Sequence, residues 1–262
     1  MVTTKAPVSW RLTDCPRDAM QGLPEFIPTE RKVAYLSALM EVGFDVLDAG
    51  SFVSPKAVPQ MADTADVLSA LPQTATEVLA IVANLRGAED ALSHGRPDIL
   101  GFPFSISETF QQRNTGGGIE DGWRRLDAIR NAAERKGKAV VAYLSMGFGN
   151  PYGDPWHAAM VGEWCGRLHA ELDIRTIALS DTVGQATPDV VDSVFGTVVD
   201  AFPEVTLGAH LHGRPEQARL LMEARLFWPS MKVSPADWGA EEREWNRDAL
   251  ERAQRIRKEL FD

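Results

Sequence analysis

Cysteine is scarce: the chain holds two, Cys15 and Cys165. Two isolated thiols exclude a disulfide framework and offer no thiolate spacing for a structural metal. Long apolar runs are missing as well. None approaches the roughly 20 residues that a membrane span requires, and the opening MVTTKAPVSW lacks the apolar centre of a signal peptide. These absences lead to the expectation of a cytoplasmic protein with reduced thiols. Positive charge is outnumbered, with 27 Lys and Arg against 37 Asp and Glu for a formal charge of −10. That balance argues against nucleic acid or an anionic membrane as the main partner. It leaves room for an anionic small molecule met by a local cluster of cations. No Gly-x-Gly-x-x-Gly follows the first apolar run, which weakens a dinucleotide-binding reading. No short-period repeat or low-complexity tract is found.

What is present is a regular alternation. Strand-like runs fall at 9–15, 44–50, 77–83, 98–104, 139–146, 176–182 and 205–212. Helix-like runs fill the gaps: 29–43, with Thr29 placed to cap and Gly43 to stop it, then 59–70, 86–94, 119–136, 155–172, 188–201 and 215–225. A βαβα series implies parallel strands. Seven such units in 262 residues predict an α/β (β/α)8 TIM barrel over residues 1–225, incomplete or irregular at strand 8. The texture changes in 226–262, which reads as an irregular connector followed by a charged helix over 237–260. An eighth strand at 226–233 would have to cross Pro229, which cannot donate to a sheet ladder.

Barrel chemistry gathers at the C-terminal ends of the strands. There the sequence places Arg17 and Asp18, Asp48, Asp181 and Thr182, and the pair His210 and His212. Strand side chains alternate faces, so the two histidines share one. With Asp18 they form a two-His, one-carboxylate set suited to a divalent cation. An isolated HxH reads more readily as two solvated or hydrogen-bonded imidazoles; the acidic strand ends around this one turn the reading to the metal. Arg17 reads either as half of a salt bridge or, held by Asp48, as a planar donor for a developing oxyanion. Asp181 reads as an orienter of a histidine or as a brace for the rim. Cys15, on a strand face with Arg17, and Cys165, in a helix, read as small core residues. His157 and His169 read as surface or packing residues of one helix, and His94 as a helix-end residue.

Five motifs occur in order: RDxxQ at 17–21, SFVSPKxVPQMxD at 51–63, SExFxxxN at 107–114, SDTVGxxTP at 180–188 and AHLH at 209–212. Together, over roughly residues 8–224, they resemble the 3-hydroxy-3-methylglutaryl-CoA lyases, within the wider group of metal-dependent TIM-barrel lyases and synthases. The resemblance implies retro-Claisen cleavage of an acyl-CoA to acetoacetate and acetyl-CoA. It implies Mg2+ or Mn2+ on Asp18, His210 and His212, and an enolate-stabilising Arg17 supported by the acid at Asp48, a position commonly Glu in relatives. It also implies a proton-transfer role for His210; Asp181, from its place at a strand end, is counted with the catalytic residues. Gln21, Ser51, Lys56, Arg113 and Thr182 are the residues it offers to substrate and CoA, Lys56 and Arg113 to the phosphates.

The sequence departs from the family pattern after strand 7. Relatives carry a Gly-rich loop of the type GGCP…GN that supplies a cysteine acid and an asparagine ligand. No Cys follows Cys165 here, and the only Asn beyond AHLH is Asn246. Three readings therefore stay open: a lyase, impaired or using another proton donor; a metal- or acyl-CoA-binding relative without catalysis; and an isopropylmalate-type synthase, which SFVSPK disfavours. A homodimer covering exposed sheet edges is a further expectation.

Overall fold

Proline shapes the entry into the fold. In the computed structural model, which describes residues 11–199 and 201–212, strand β1 covers only Thr13–Asp14 and helix α1 covers Pro16–Gln21. Pro16 has no N–H to give a neighbouring strand, and its fixed φ suits the first turn of a helix. The predicted strand over 9–15 is corrected accordingly. Arg17 and Asp18 belong to the first helical turn rather than to a strand end, and Cys15 is the cap before it, not a strand neighbour of Arg17.

From there strands and helices alternate. Helix α2 (Thr29–Val42) leads to β2 (Val46–Ser51), α3 (Thr64–Ala70) to β3 (Glu77–Ile81), and α4 (Leu85–Ser93) to β4 (Ile99–Ser105). Helices α5 (Glu108–Thr115) and α6 (Ile119–Glu134) precede β5 (Ala139–Ser145), α7 (Ala158–Leu172) precedes β6 (Thr176–Asp181), and α8 (Pro188–Val198) precedes β7 (Thr206–Leu211). All pairings are parallel and the strands lie in chain order. Gly43 ends α2 in the left-handed conformation, as predicted. Thr29 does not cap it: Pro28 holds that position, and the Thr29 hydroxyl donates to Asp63 Oδ2 at 2.8 Å. The predicted helix 59–70 is broken into a 3-10 turn at Pro59–Met61 and α3. Helix α5 was not predicted, because its polar run lacks an apolar stripe; Ser107 caps it by accepting from the Phe110 N–H, and Gly116 stops it. The predicted elements at 215–225, 226–233 and 237–260 lie outside the described residues.

Both faces of the sheet are apolar, as a parallel sheet covered on each side requires. Val46, Leu79, Ile81, Ile99 and Tyr143 point inward to one cluster. Leu47, Val78, Leu100, Phe102, Leu144 and Leu179 point outward beneath the helices. The sheet is strongly curled. In a flat sheet, six strand spacings would separate β1 from β7 by about 29 Å. Asp18, just beyond β1, lies 3.2 Å from His212, just beyond β7. This is the TIM-barrel architecture expected from the alternation. Gly101 makes the curl possible at the centre: a Cβ there would lie 2.6 Å from Ile81 Cδ1 and 2.9 Å from the Tyr143 ring. Gly101→Val is expected to destabilise the protein by about 1–3 kcal/mol through overpacking, read as a fall in the urea midpoint at unchanged slope.

Candidate functional site

The site is built on helix α1 and the ends of β2 and β7. Arg17 is buried, and its Nε donates to both oxygens of Asp48 at 3.1 and 3.2 Å while Nη2 donates to Asp48 Oδ2 at 2.6 Å. Its Nη1 donates to Asp18 Oδ1 at 2.9 Å and to Gln21 Oε1 at 3.0 Å. Gln21 closes the ring by donating to Asp18 Oδ1 at 2.7 Å. A guanidinium has five N–H donors in one plane. Among the described residues four are engaged, leaving one Nη2 hydrogen. Asp48 has no exposed surface. Burial pushes its carboxyl up, against the pull of the Arg17 charge. Burial alone would lower Arg17, but the charge and hydrogen bonds of Asp48 outweigh it and hold the guanidinium upward. The short arm of Asp48 is long enough to reach the guanidinium.

The other oxygen of Asp18 faces the histidines. Asp18 Oδ2 lies 3.2 Å from His212 Nε2 and 3.9 Å from His210 Nε2, and the two Nε2 atoms are 3.0 Å apart. Residues 210 and 212 share the inner face of the strand end, as their spacing predicts. The Nδ1 of His212 faces the Thr182 carbonyl at 3.3 Å, which fixes that ring with Nε2 turned to the cluster. The Nδ1 of His210 faces Cys15 Sγ at 3.9 Å. The hydrogen bond from His212, with the Arg17 and histidine charges, holds Asp18 down to about 2. Burial, with the neighbouring charges of His212 and Arg17, brings His210 down to about 4. The Asp18 hydrogen bond raises His212. Among the described residues, Asp18, His210 and His212 are the one group of three arranged to hold a metal ion.

The remaining predicted residues fall into two groups. The Asp181 oxygens accept the backbone N–H groups of Gln185 and Ala186 at 2.8 and 3.1 Å, and its charge also helps to raise His212. Thr182 Oγ1 accepts from the Met146 N–H at 3.3 Å while its carbonyl holds His212. Ser51 is buried, and its hydroxyl donates to the Ile81 carbonyl at 3.3 Å. Lys56 and Arg113 are exposed on separate rim segments. The loop carrying Lys56 is tethered by Lys32, a buried cation that donates to Asp63 Oδ1 at 2.6 Å and to the Gln60 carbonyl. Two neighbours escaped the sequence reading. Tyr143 sets its ring edge-on against His210 at 5.5 Å from inside the barrel. Cys15, read as a small core residue, touches His210 as well, and burial pushes its thiol well up, so it stays protonated. A period-2 count along one strand cannot foresee contacts that arise only when the sheet curls. His157 is the N-cap of α7, His94 the cap residue after α4, and Cys165 is buried core.

Residues 10–218 match the HMGL-like family. The mitochondrial hydroxymethylglutaryl-CoA lyase of Rattus norvegicus is 33% identical over 204 residues, 78% of this chain and 62% of that protein. The cytoplasmic 3-hydroxy-3-methylglutaryl-CoA lyase of Danio rerio is 32% identical over 216 residues, 82% of this chain and 64% of that protein. The chain thus spans a little under two thirds of the length of these curated relatives. Among solved structures, the HMG-CoA lyase of Brucella melitensis superposes with a TM-score of 0.73 at 31% identity, covering 80% of this chain and 76% of that one. The hydroxymethylglutaryl-CoA lyase of Pseudomonas aeruginosa superposes with a TM-score of 0.81 at 26% identity, covering 96% and 93%. No helix among the described residues is long and apolar enough to cross a membrane. Since the matched span takes in every strand end described above, it covers the site as well as the barrel, and the chain belongs to the HMGL-like family.

Proposed function

We propose that the chain is a divalent-metal-dependent carbon–carbon lyase that cleaves 3-hydroxy-3-methylglutaryl-CoA, or a similar 3-hydroxyacyl-CoA, to acetoacetate and acetyl-CoA. The observation that carries this reading is the convergence of one carboxylate oxygen and two imidazole nitrogens beside a buried guanidinium. The donor set fits a divalent cation. Donors about 2.1 Å from a common centre and at right angles lie about 3.0 Å apart. Two of the three separations, 3.0 and 3.2 Å, match, and the third is 3.9 Å. Two imidazole nitrogens and a carboxylate oxygen facing one another also repel unless a proton or cation lies among them. Asp18, His210 and His212 would hold Mg2+ or Mn2+, which supplies Lewis-acid polarisation of the substrate oxygens.

The chain's own residues do the rest. In the cleavage the C3 hydroxyl proton leaves, the C2–C3 electron pair moves onto the thioester as an enolate, and C3 becomes the ketone of acetoacetate. C2 then regains one proton to give acetyl-CoA, so no water is consumed. Arg17 meets the charge on the enolate oxygen through its remaining Nη2 hydrogen. Asp48 fixes the guanidinium plane, and Gln21 keeps Asp18 and Arg17 from swinging apart. His210, neutral at neutral pH, offers its Nε2 lone pair. Its other role, proton transfer, uses that same atom, so the two roles exclude each other at any instant. Ser51 and Thr182, at the ends of β2 and β6, are the residues offered to the substrate, and Lys56 and Arg113 bring positive charge for the CoA phosphates. Residues 1–225 as the barrel domain with 226–262 as a distinct segment, a homodimer and a cytoplasmic location complete the proposal.

The test is a coupled assay of acetoacetate release from the hydroxymethylglutaryl thioester in Mn2+. His210→Ala is expected to be slower by about 10²-fold or more, the scale of a lost general acid–base group. Equal rates for the two chains would remove the lyase reading and leave only the ancestry.

A further inference from the structure

The rim above β4 and β5 carries a clasp that the reaction does not use. The Asp154 carboxylate accepts from the Thr109 N–H at 2.9 Å, from the Thr109 hydroxyl at 2.8 Å and from the Ser107 hydroxyl. Ser107, with Thr109, holds that carboxyl below the usual carboxylate range. The anion position at the start of α5 is therefore already filled by the protein's own side chain. Asn150 shapes the segment behind it: its Oδ1 accepts from the N–H groups of Tyr152 and Asp154 at 3.0 and 3.1 Å, and its Nδ2 donates to the Asp154 carbonyl at 3.0 Å. Gly153, at φ 77°, takes a turn that other residues rarely adopt.

The clasp brings two side chains together. Tyr152 stacks on Phe110 of α5 with ring centroids 6.3 Å apart. The guanidinium of Arg113, one turn further along α5, lies over the other partner, the Tyr152 ring, at 4.9 Å. Among the described residues no carboxylate stands within ion-pair distance of Arg113. A cation held on an aromatic face, exposed and with no carboxylate within ion-pair distance, is set to receive an anion, the Asp154 charge acting on it only from further away. We propose that Asp154 is a positioning residue: by clasping α5 to the β5–α7 segment it presents Arg113, stacked on Tyr152, as a preformed seat for a phosphate of the acyl-CoA. This rests on the acyl-CoA reading given above and adds to it the residues that fix the seat.

The experiment is isothermal titration of the full chain with coenzyme A and, separately, with pantetheine, which has the same thiol arm and no phosphate. Arg113→Gln is expected to weaken coenzyme A about tenfold and Asp154→Ala by several-fold, with pantetheine unchanged. In the double variant Asp154→Ala is expected to add less than about twofold to Arg113→Gln, because it acts through that residue. Thr109→Val, which removes a single hydroxyl donor, is expected to shift coenzyme A in the same direction by less, and stands in should Asp154→Ala fail to fold. The proposal is overturned by a coenzyme A affinity indifferent to these clasp substitutions, by equal weakening of pantetheine, or by full additivity in the double variant. Thioester turnover is measured on the same samples. Turnover with an indifferent clasp removes the seat and keeps the lyase. The expected coenzyme A pattern without turnover removes the lyase and keeps the seat. No binding of coenzyme A by the unaltered chain overturns the seat, and absence of turnover beside it overturns the lyase as well.

Discussion

Arg17→Met is expected to lower both rate and stability, and a second substitution separates the two. The guanidinium grips Asp48 with two nitrogens, at 2.6 Å in the shortest contact, and Asp48 has no exposed surface. Methionine fills the volume but leaves a buried carboxylate without a counter-charge, a change that costs about 3–5 kcal/mol. In a chain of this size that is roughly 10 °C in the unfolding midpoint. The deficit shrinks as the pH falls. Burial already raises the Asp48 carboxyl, removing Arg17 raises it further, and a group whose folded pKa is raised contributes its stability in the protonated state, at low pH. Acetoacetate release is expected to fall about 10²- to 10³-fold, the usual loss when a donor to a developing oxyanion is removed. Asp48→Leu in the Arg17→Met background replaces the stranded charge with an apolar side chain. Stability is expected to recover to within about 1–2 kcal/mol of the unaltered chain, and activity to stay lost. A double variant as unstable as the single one would mean that the stranded carboxylate is not the cause. A single variant with full turnover would remove Arg17 from the chemistry.

The sequence announced the strands well because a buried parallel strand has a simple signature, a short apolar run between polar segments. The helices were legible where an apolar stripe accompanied the run, as in α2 and α6. They were missed where capping alone made them, as in α5, or where a proline converted a strand end into a helical turn, as at Pro16. The site was legible in part for the same local reason. Two residues apart on a strand means one face, and His210 and His212 meet at 3.0 Å. The pairing of Arg17 with Asp48 depends on adjacent parallel strands, which the alternation supplies. Tyr143 against His210, Cys15 against His210 and Asp154 against Thr109 depend on curvature and loop conformation, which no linear period encodes. The two roles left open for Asp181 could not be separated in the sequence, because the N–H groups it binds belong to a turn five residues long.

Mn2+ is expected to raise the unfolding midpoint of the chain, and Asp18→Asn to abolish that rise. A ligand that binds only the folded state stabilises it by about 2.7 kcal/mol at one hundred times its dissociation constant, or roughly 5–10 °C here. Asparagine is the informative replacement. Its Oδ1 can still accept from Arg17 Nη1 and Gln21 Nε2, so the polar ring around α1 survives. What changes is the atom facing His210 and His212: an amide nitrogen, which has no lone pair to give a cation, takes the place of a carboxylate oxygen 3.2 Å from His212 Nε2. The loss of the midpoint shift should therefore be specific to the cluster rather than to folding, and Asp121→Asn, at an exposed helical position far along the chain, should leave the shift intact. Turnover in Asp18→Asn is expected to fall about 10³-fold, because the Lewis-acid contribution of a bound dication is several kcal/mol. Should Asp18→Asn keep the full Mn2+ shift, the cation is held elsewhere, and the meeting of Asp18 with the two histidines is then a hydrogen-bonded corner of the barrel with no metal in its chemistry.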